Sequence, residues 1–227
     1  MQPITLTGKR ILVTQAHDFM GPALCTALKE FGAEVIADMQ PVVDSDDANK
    51  IIGAAGHIDV LVLNFGVPAP RTLASAISDG EWREVFAHMV DPLPRFMRAI
   101  LPTMIARKYG KVLLMGSASG LRGMPATASY SAARAAQLGF VQAVGVEMAK
   151  HHVQVNAIAQ NFVENPTYYP PSIQENPKFQ ERLKREVPLG RLVTAQEDAS
   201  FAAYLCSDAA NCFVGQVFPV CGGWVAR

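Results

Sequence analysis

Short apolar runs alternate with segments of helical spacing along almost the whole chain, and this alternation constrains the fold more than any other feature. Arg10 to Thr14 (RILVT) is rich in branched aliphatics and reads as a buried strand. Gly21 to Phe31 follows with Ala23, Leu24, Ala27, Leu28 and Phe31 at helical intervals. Pro22 fits the first turn of that helix and Gly32 its stop. Further strands are expected at Glu34 to Ala37, Ile58 to Leu63, Lys111 to Met115, Gln154 to Ile158 and Gln216 to Val220. Helices are expected at Trp82 to Ala106, Ala128 to Lys150 and Glu197 to Ser207, the first kinked or split by Pro92, Pro94 and Pro102. Strands separated by helices imply a parallel sheet with helices on both faces. No repeat and no low-complexity linker interrupts the pattern, so residues 1–227 read as a single domain.

The fold class expected is therefore α/β, a single-domain, doubly wound, Rossmann-like parallel sheet. Two features set it apart from a dinucleotide-binding sheet. Between Asp38, which closes the second strand, and Ile58 there are only 19 residues. A parallel crossover takes a dozen or more residues. A strand at Gln40 to Val43 leaves no room for a helix before it, and a helix from about Asp44 to Ala55 uses the rest, so one βα unit is truncated. That sheet edge would line the adenine half of a cofactor site. The nucleotide-binding loop is degenerate as well. It reads Thr14-Gln15-Ala16-His17-Asp18-Phe19-Met20-Gly21. Gln15 and Phe19 occupy two of three positions where glycine permits a tight turn and close approach of a pyrophosphate. Asp38 stands where a ribose-binding acid would be, and is read as a strand-end turn residue. No cofactor is expected.

Composition excludes some classes of partner. Lys plus Arg is 20 and Asp plus Glu is 20, with no basic run, so nothing marks a nucleic-acid or anionic-membrane surface. No apolar run reaches the length of a membrane span, and Met1 to Lys9 lacks the core of a secretory signal. Cys25, Cys206, Cys212 and Cys221 are scattered, as free thiols in a reducing cytoplasm would be. The histidine pair His151-His152 diverges on any regular backbone, so no metal is expected.

Chemistry concentrates on Ser117, Tyr130 and Arg134. Ser117 follows a strand's carboxyl end, where α/β sheets place ligands. Tyr130 and Arg134 are four apart on a helix and share a face. Arginine keeps its charge when partly buried, and a nearby cation favours phenolate. Ser117 can then hold a substrate oxygen while Tyr130 exchanges its proton. An acid/base pair without a hydride source moves protons but does no redox chemistry.

The scaffold resembles the short-chain dehydrogenase/reductases over nearly the whole chain. The likeness rests on Asp59-Val60-Leu61-Val62-Leu63-Asn64, on Ser117 with Tyr130, on Pro188-Leu189-Gly190-Arg191-Leu192, and on Gly215-Gln216-Val217 with Gly222-Gly223. Those enzymes carry lysine at Arg134 and glycines at Gln15 and Phe19. The pattern Thr14-x4-Phe19-x-Gly21 with Ser117-x12-Tyr130-x3-Arg134 is similar instead to the halohydrin dehalogenases. The segment Gln160-Asn161-Phe162-Val163-Glu164-Asn165-Pro166-Thr167-Tyr168-Tyr169-Pro170 resembles that family's halide-pocket loop.

The resemblance implies a cofactor-independent lyase that closes vicinal halohydrins to epoxides and opens epoxides with small anions. It implies Ser117, Tyr130 and Arg134 as catalytic. Halide and substrate are expected at Phe19, at the backbone N–H groups of Asn161 and Phe162, and at Tyr168 and Tyr169. Phe162, Tyr168 and Tyr169 are equally compatible with lid packing. Trp224 either caps a neighbouring subunit's pocket or packs locally. Ala132, Ala133, Ala135, Ala136, Gly139, Ala143 and Gly145 make one helix rich in small residues. The family pairs such helices into dimers and then a homotetramer; helix propensity alone also accounts for the alanines. The alternative is a nicotinamide-dependent carbonyl reductase. A third possibility is a non-catalytic binding relative, since fold does not fix function.

Overall fold

A computed structural model of the chain describes residues 4–226. Six parallel strands form one sheet: β1 (Arg10–Val13), β2 (Glu34–Ala37), β3 (Val60–Leu63), β4 (Gly110–Ser117), β5 (Val153–Gln160) and β6 (Val217–Val220). Their spatial order is β2-β1-β3-β4-β5-β6. The helices are α1 (Gly21–Glu30), α2 (Asp47–Ala55), α3 (Asp79–Met89), α4 (Pro92–Arg107), α5 (Ala128–Met148), α6 (Pro171–Gln174), α7 (Pro177–Glu186) and α8 (Ala195–Cys206).

The two faces of the sheet follow the strand period of two. Leu12, Leu61, Leu63, Val112, Leu114, Val155 and Ala157 face a core closed by α2, α4 and α5. Ile11, Val13, Val60, Val62, Leu113, Met115 and Ile158 face the other way, against α1 and α8. Strand β3 is buried along its whole length because both faces are covered, hence the unbroken VLVL. The doubly wound α/β architecture read from the alternation is the observed one.

The expected truncation is present. Dinucleotide-binding sheets run 3-2-1-4-5-6; among the described residues no strand lies outside β2. After Asp38 the chain passes through residues 39–46 without a strand and enters α2 directly. The long helix expected over Trp82 to Ala106 is split at Val90-Asp91, where Pro92 takes a first-turn position of α4. Pro102 is held inside α4, on its exposed side. Helices α6 and α7, after β5, were not anticipated. Pro171 and Pro177 begin them, and α6 has only four residues, too few to show a period.

One glycine explains part of the small-residue helix. A Cβ on Gly145 would lie 2.5 Å from the backbone of Gly215, so α5 needs glycine there for contact within the chain. Gly139, Ala135 and Ala143 are exposed on the opposite side.

Candidate active site

The carboxyl ends of β1, β3, β4 and β5 meet over one cavity of about 110 Å³. Phe19, Ser117, Tyr130, Arg134, Asn161, Phe162, Tyr168 and Tyr169 all line it. The engineered cavity that accepts benzene measures about 150 Å³, so this space suits a molecule of a few heavy atoms.

The segment after β3 anchors the site. Asn64 donates from Nδ2 to the carbonyls of Gln15 and Asp18, tying β3 to the loop after β1. The Phe65 carbonyl accepts from Arg134 Nη1 at 2.9 Å, and the Val67 carbonyl accepts from the Tyr168 hydroxyl at 2.9 Å. The Gly66 N–H donates to Gln15 Oε1 at 3.1 Å. The glutamine that replaces a loop glycine is thus a structural tie, a role its position in the sequence does not announce.

Gln15 and Phe19 have φ of 44° and 49°, the left-handed region. Non-glycine residues held there cost about 1–3 kcal/mol each and persist where the side chain is needed. The Phe19 ring lies 5.8 Å from that of Tyr168. A Cβ added to Gly66 would sit 3.2 Å from Phe19 Cε2 and 2.9 Å from Arg134 Nη2, so Gly66 fills the gap between ring and guanidinium. Gly21 is required by the loop itself, since a Cβ there would meet the Ala16 carbonyl at 2.5 Å. Asp38 behaves as a turn residue: its Oδ1 accepts from the Gln40 N–H and its backbone pairs with Val13 and Ala16.

Tyr130 and Arg134 are both buried on α5, with the guanidinium carbon 5.0 Å from the tyrosine ring centroid. Arg134 Nη1 donates to the carbonyls of Phe65 and Met115 and to Gln137 Oε1. It has no acidic partner among the described residues, so its charge is solvated by dipoles and attracts negative charge developing in the cavity. Gln137, one turn on from Arg134, was missed from sequence; it also donates to the Met89 carbonyl and so fixes the guanidinium's support. Ser117 is buried at the end of β4, its Oγ 2.9 Å from Ser119 Oγ. Ser119 is likewise a lining residue that the sequence reading did not select.

Tyr168 brings its hydroxyl to 3.5 Å from that of Tyr130. Burial, then the neighbouring Tyr130, pushes the Tyr168 phenol up from its ordinary range. Burial likewise pushes Tyr169 up to about 12. Both stay neutral at any physiological pH.

One expectation changes, and two open alternatives are decided. The Asn161 N–H donates to the Val220 carbonyl and the Phe162 N–H to Asn161 Oδ1, so neither is free for a halide. Phe162 is almost wholly buried, stacked on Tyr169 and edge-on to Trp224; it is a wall with a core role. Trp224 is buried within its own chain, under the Arg122 guanidinium at 4.6 Å, with Arg122 Nη1 on its carbonyl. The local-packing alternative holds for it.

Residues 7–225 match the family model described as enoyl-(acyl carrier protein) reductase. The chain belongs to the short-chain dehydrogenase/reductase superfamily. It is 29% identical to the 3-oxoacyl-[acyl-carrier-protein] reductase of Escherichia coli strain K12, over 95% of this chain and 97% of that one. A solved structure titled "Dehalogenation enzyme" superposes with a TM-score of 0.89 at 29% identity, covering 97% of this chain and 99% of that one. A gluconate 5-dehydrogenase from Burkholderia cenocepacia J2315, solved with NADP and tartrate, gives 0.87 at 23% identity over 97% and 96%, which speaks for the fold alone. Among the described residues no helix is long and apolar enough to cross a membrane, and no cluster of His, Cys, Asp or Glu could hold a metal.

Proposed function

We propose that this chain is a cofactor-independent halohydrin dehalogenase, a lyase that closes vicinal halohydrins to epoxides and halide and opens epoxides with small anions. The observation that carries the reading is Phe19. At a strained backbone position it puts a ring beside Gly66, Arg134 and Tyr168, where a reductase of this fold needs open space for pyrophosphate. Gln15 and the missing edge strand act in the same direction. Phe19 and Gln15 do not fit a dinucleotide, because their side chains stand where the pyrophosphate would approach the loop backbone. The 29% identical structure titled "Dehalogenation enzyme" supports the same reading.

The chemistry needs only groups in the cavity. Ser117 holds the substrate hydroxyl and Tyr130 accepts its proton. The alkoxide oxygen attacks the adjacent carbon, a C–O bond forms, and the C–halogen bond breaks with its electron pair leaving on the halide. Nucleophile and electrophile belong to one molecule, so no enzyme nucleophile is required. Arg134, without an acid partner, stabilises negative charge as it passes from oxygen to halide. The edge of the Phe19 ring is positive and compatible with the departing anion. Tyr168, kept neutral, can accept from the Tyr130 hydroxyl, or turn its one proton from the Val67 carbonyl to the Tyr130 oxygen once that oxygen carries charge. In reverse, Tyr130 returns the proton to the opening epoxide. The exposed small face of α5, Ala135, Gly139, Ala143 and Val146, would pair two copies, and pairs would assemble as a homotetramer in the cytoplasm.

The relatives named as 3-oxoacyl reductases support the alternative, an NAD(P)-dependent carbonyl reductase. The two readings are separated by halide release from 1-chloro-2-propanol in the absence of nicotinamide, set against oxidation of NADPH with a 3-oxoacyl thioester.

A further inference from the structure

Gln160 and Asp198 form a polar pair that the mechanism above does not use. Gln160 ends β5 directly across from Ser117 in the strand register and lines the cavity. Its Nε2 donates to Asp198 Oδ2 at 2.5 Å. Asp198 lies in the first turns of α8 with no solvent exposure, and its Oδ1 has no partner. Helix α8 packs on α1 and on β4, and the buried residues of α1 and the β4 side chains in that core are apolar or glycine. The neighbouring acid Glu197 turns outward to Arg191 and the Thr194 cap. Burying a carboxyl without a cation is costly, and burial pushes this one up to about 7. Its clearest effect is on Gln160. With the amide nitrogen committed to Asp198, the amide cannot rotate without losing that bond. Its Oε1 accepts no hydrogen bond among the described residues and is not enclosed by protein.

Resting on the proposed function, we infer that Gln160 contacts substrate through its carbonyl oxygen, with Asp198 as the positioning residue behind it, and that the pair selects halohydrins and epoxides carrying a second hydroxyl. The chemistry limits the ligand group. A carbonyl oxygen accepts and never donates, so it disfavours a halide and favours an O–H. The reacting hydroxyl is taken by Ser117 and Tyr130. Adjacent strands lie about 4.8 Å apart, so a group on the carbon next to the reacting one reaches from the Ser117 end to the Gln160 end. A vicinal hydroxyl meets that geometry.

The test compares kcat/KM for 3-chloro-1,2-propanediol and 1-chloro-2-propanol, without cofactor, in the wild type, Gln160→Leu, Asp198→Leu and Asp198→Asn. The wild type should prefer the diol by roughly 3- to 10-fold, the worth of one neutral hydrogen bond. Gln160→Leu and Asp198→Leu should both abolish that ratio. Asp198→Asn, which still accepts from Nε2, should retain it; loss in Asp198→Leu with retention in Asp198→Asn is a pattern that a merely structural role for Asp198, which would lower both substrates alike, does not give. If Asp198→Leu does not fold, Gln160→Leu and Asp198→Asn still decide. An unchanged ratio in Gln160→Leu overturns the inference. A parallel NMR titration with 1,2-propanediol and 2-propanol reads the preference without turnover. Diol preference that depends on Gln160 in a chain releasing no halide would sink the proposed function and keep this inference. Halide release with no Gln160-dependent preference in either assay would do the reverse.

Discussion

Asp198→Asn should make the protein more stable at alkaline pH and leave it little changed in mild acid. The wild-type carboxyl is raised from 3.8 to about 7 by burial. An acid raised on folding takes up a proton on folding over the interval between those values. The unfolded chain therefore binds fewer protons there, and stability falls as pH rises. At about 1.4 kcal/mol per unit, the ionised carboxylate costs roughly 4 kcal/mol above pH 7, as an upper bound. The asparagine keeps an acceptor for Gln160 Nε2 and puts an amide nitrogen at the position of the unpartnered Oδ1. An unpaired buried donor costs about 1–3 kcal/mol. The net gain at about pH 8 is then on the order of 1–3 kcal/mol. Urea unfolding of both proteins between about pH 5 and pH 8 measures it. Subtracting one curve from the other cancels every group the two share. The difference should grow by about 1.4 kcal/mol per unit and flatten above pH 7. A difference independent of pH would refute the reasoning, because Asp198 would then not titrate anomalously.

Tyr130→Phe and Ser117→Ala should each lower halohydrin turnover by about 10² to 10⁴ while the circular dichroism spectrum stays native; near-native turnover in Tyr130→Phe would dismiss Tyr130 as the base. Gly145→Ala should destabilise by about 1–3 kcal/mol in urea, because its Cβ would overlap the Gly215 backbone at 2.5 Å; a neutral result would mean that α5 shifts freely. Calorimetric titration with NADH and NADPH should show no micromolar binding, and such binding would revive the reductase reading.

The sequence exposed those parts of the fold in which one residue type has one physical meaning. Apolar runs buried on both faces give strands such as β3, and the 19 residues after Asp38 are too few for another βα unit. Ser117, Tyr130 and Arg134 could be read because strand-end placement and helical spacing bring them to one cavity, which they do line. What could not be read depends on contacts distant in sequence. Gln15 ties to Gly66 across 51 positions, and Gln160 to Asp198 across 38. The Asn161 and Phe162 N–H groups were expected to be free because a loop's internal hydrogen bonds do not show in its sequence. Trp224 is apolar and near the end of the chain, which suits a neighbour's pocket as well as its own core; only its packing on Phe162 and Arg122 decides.

The most direct measurement of the central claim is halide release from 1-chloro-2-propanol by the purified chain, with no nicotinamide added. The account predicts release of one halide per epoxide formed, abolished in Tyr130→Phe and unaffected by added NADPH. No release across several chloro- and bromo-propanols, together with NADPH oxidation on a 3-oxoacyl thioester, would contradict it.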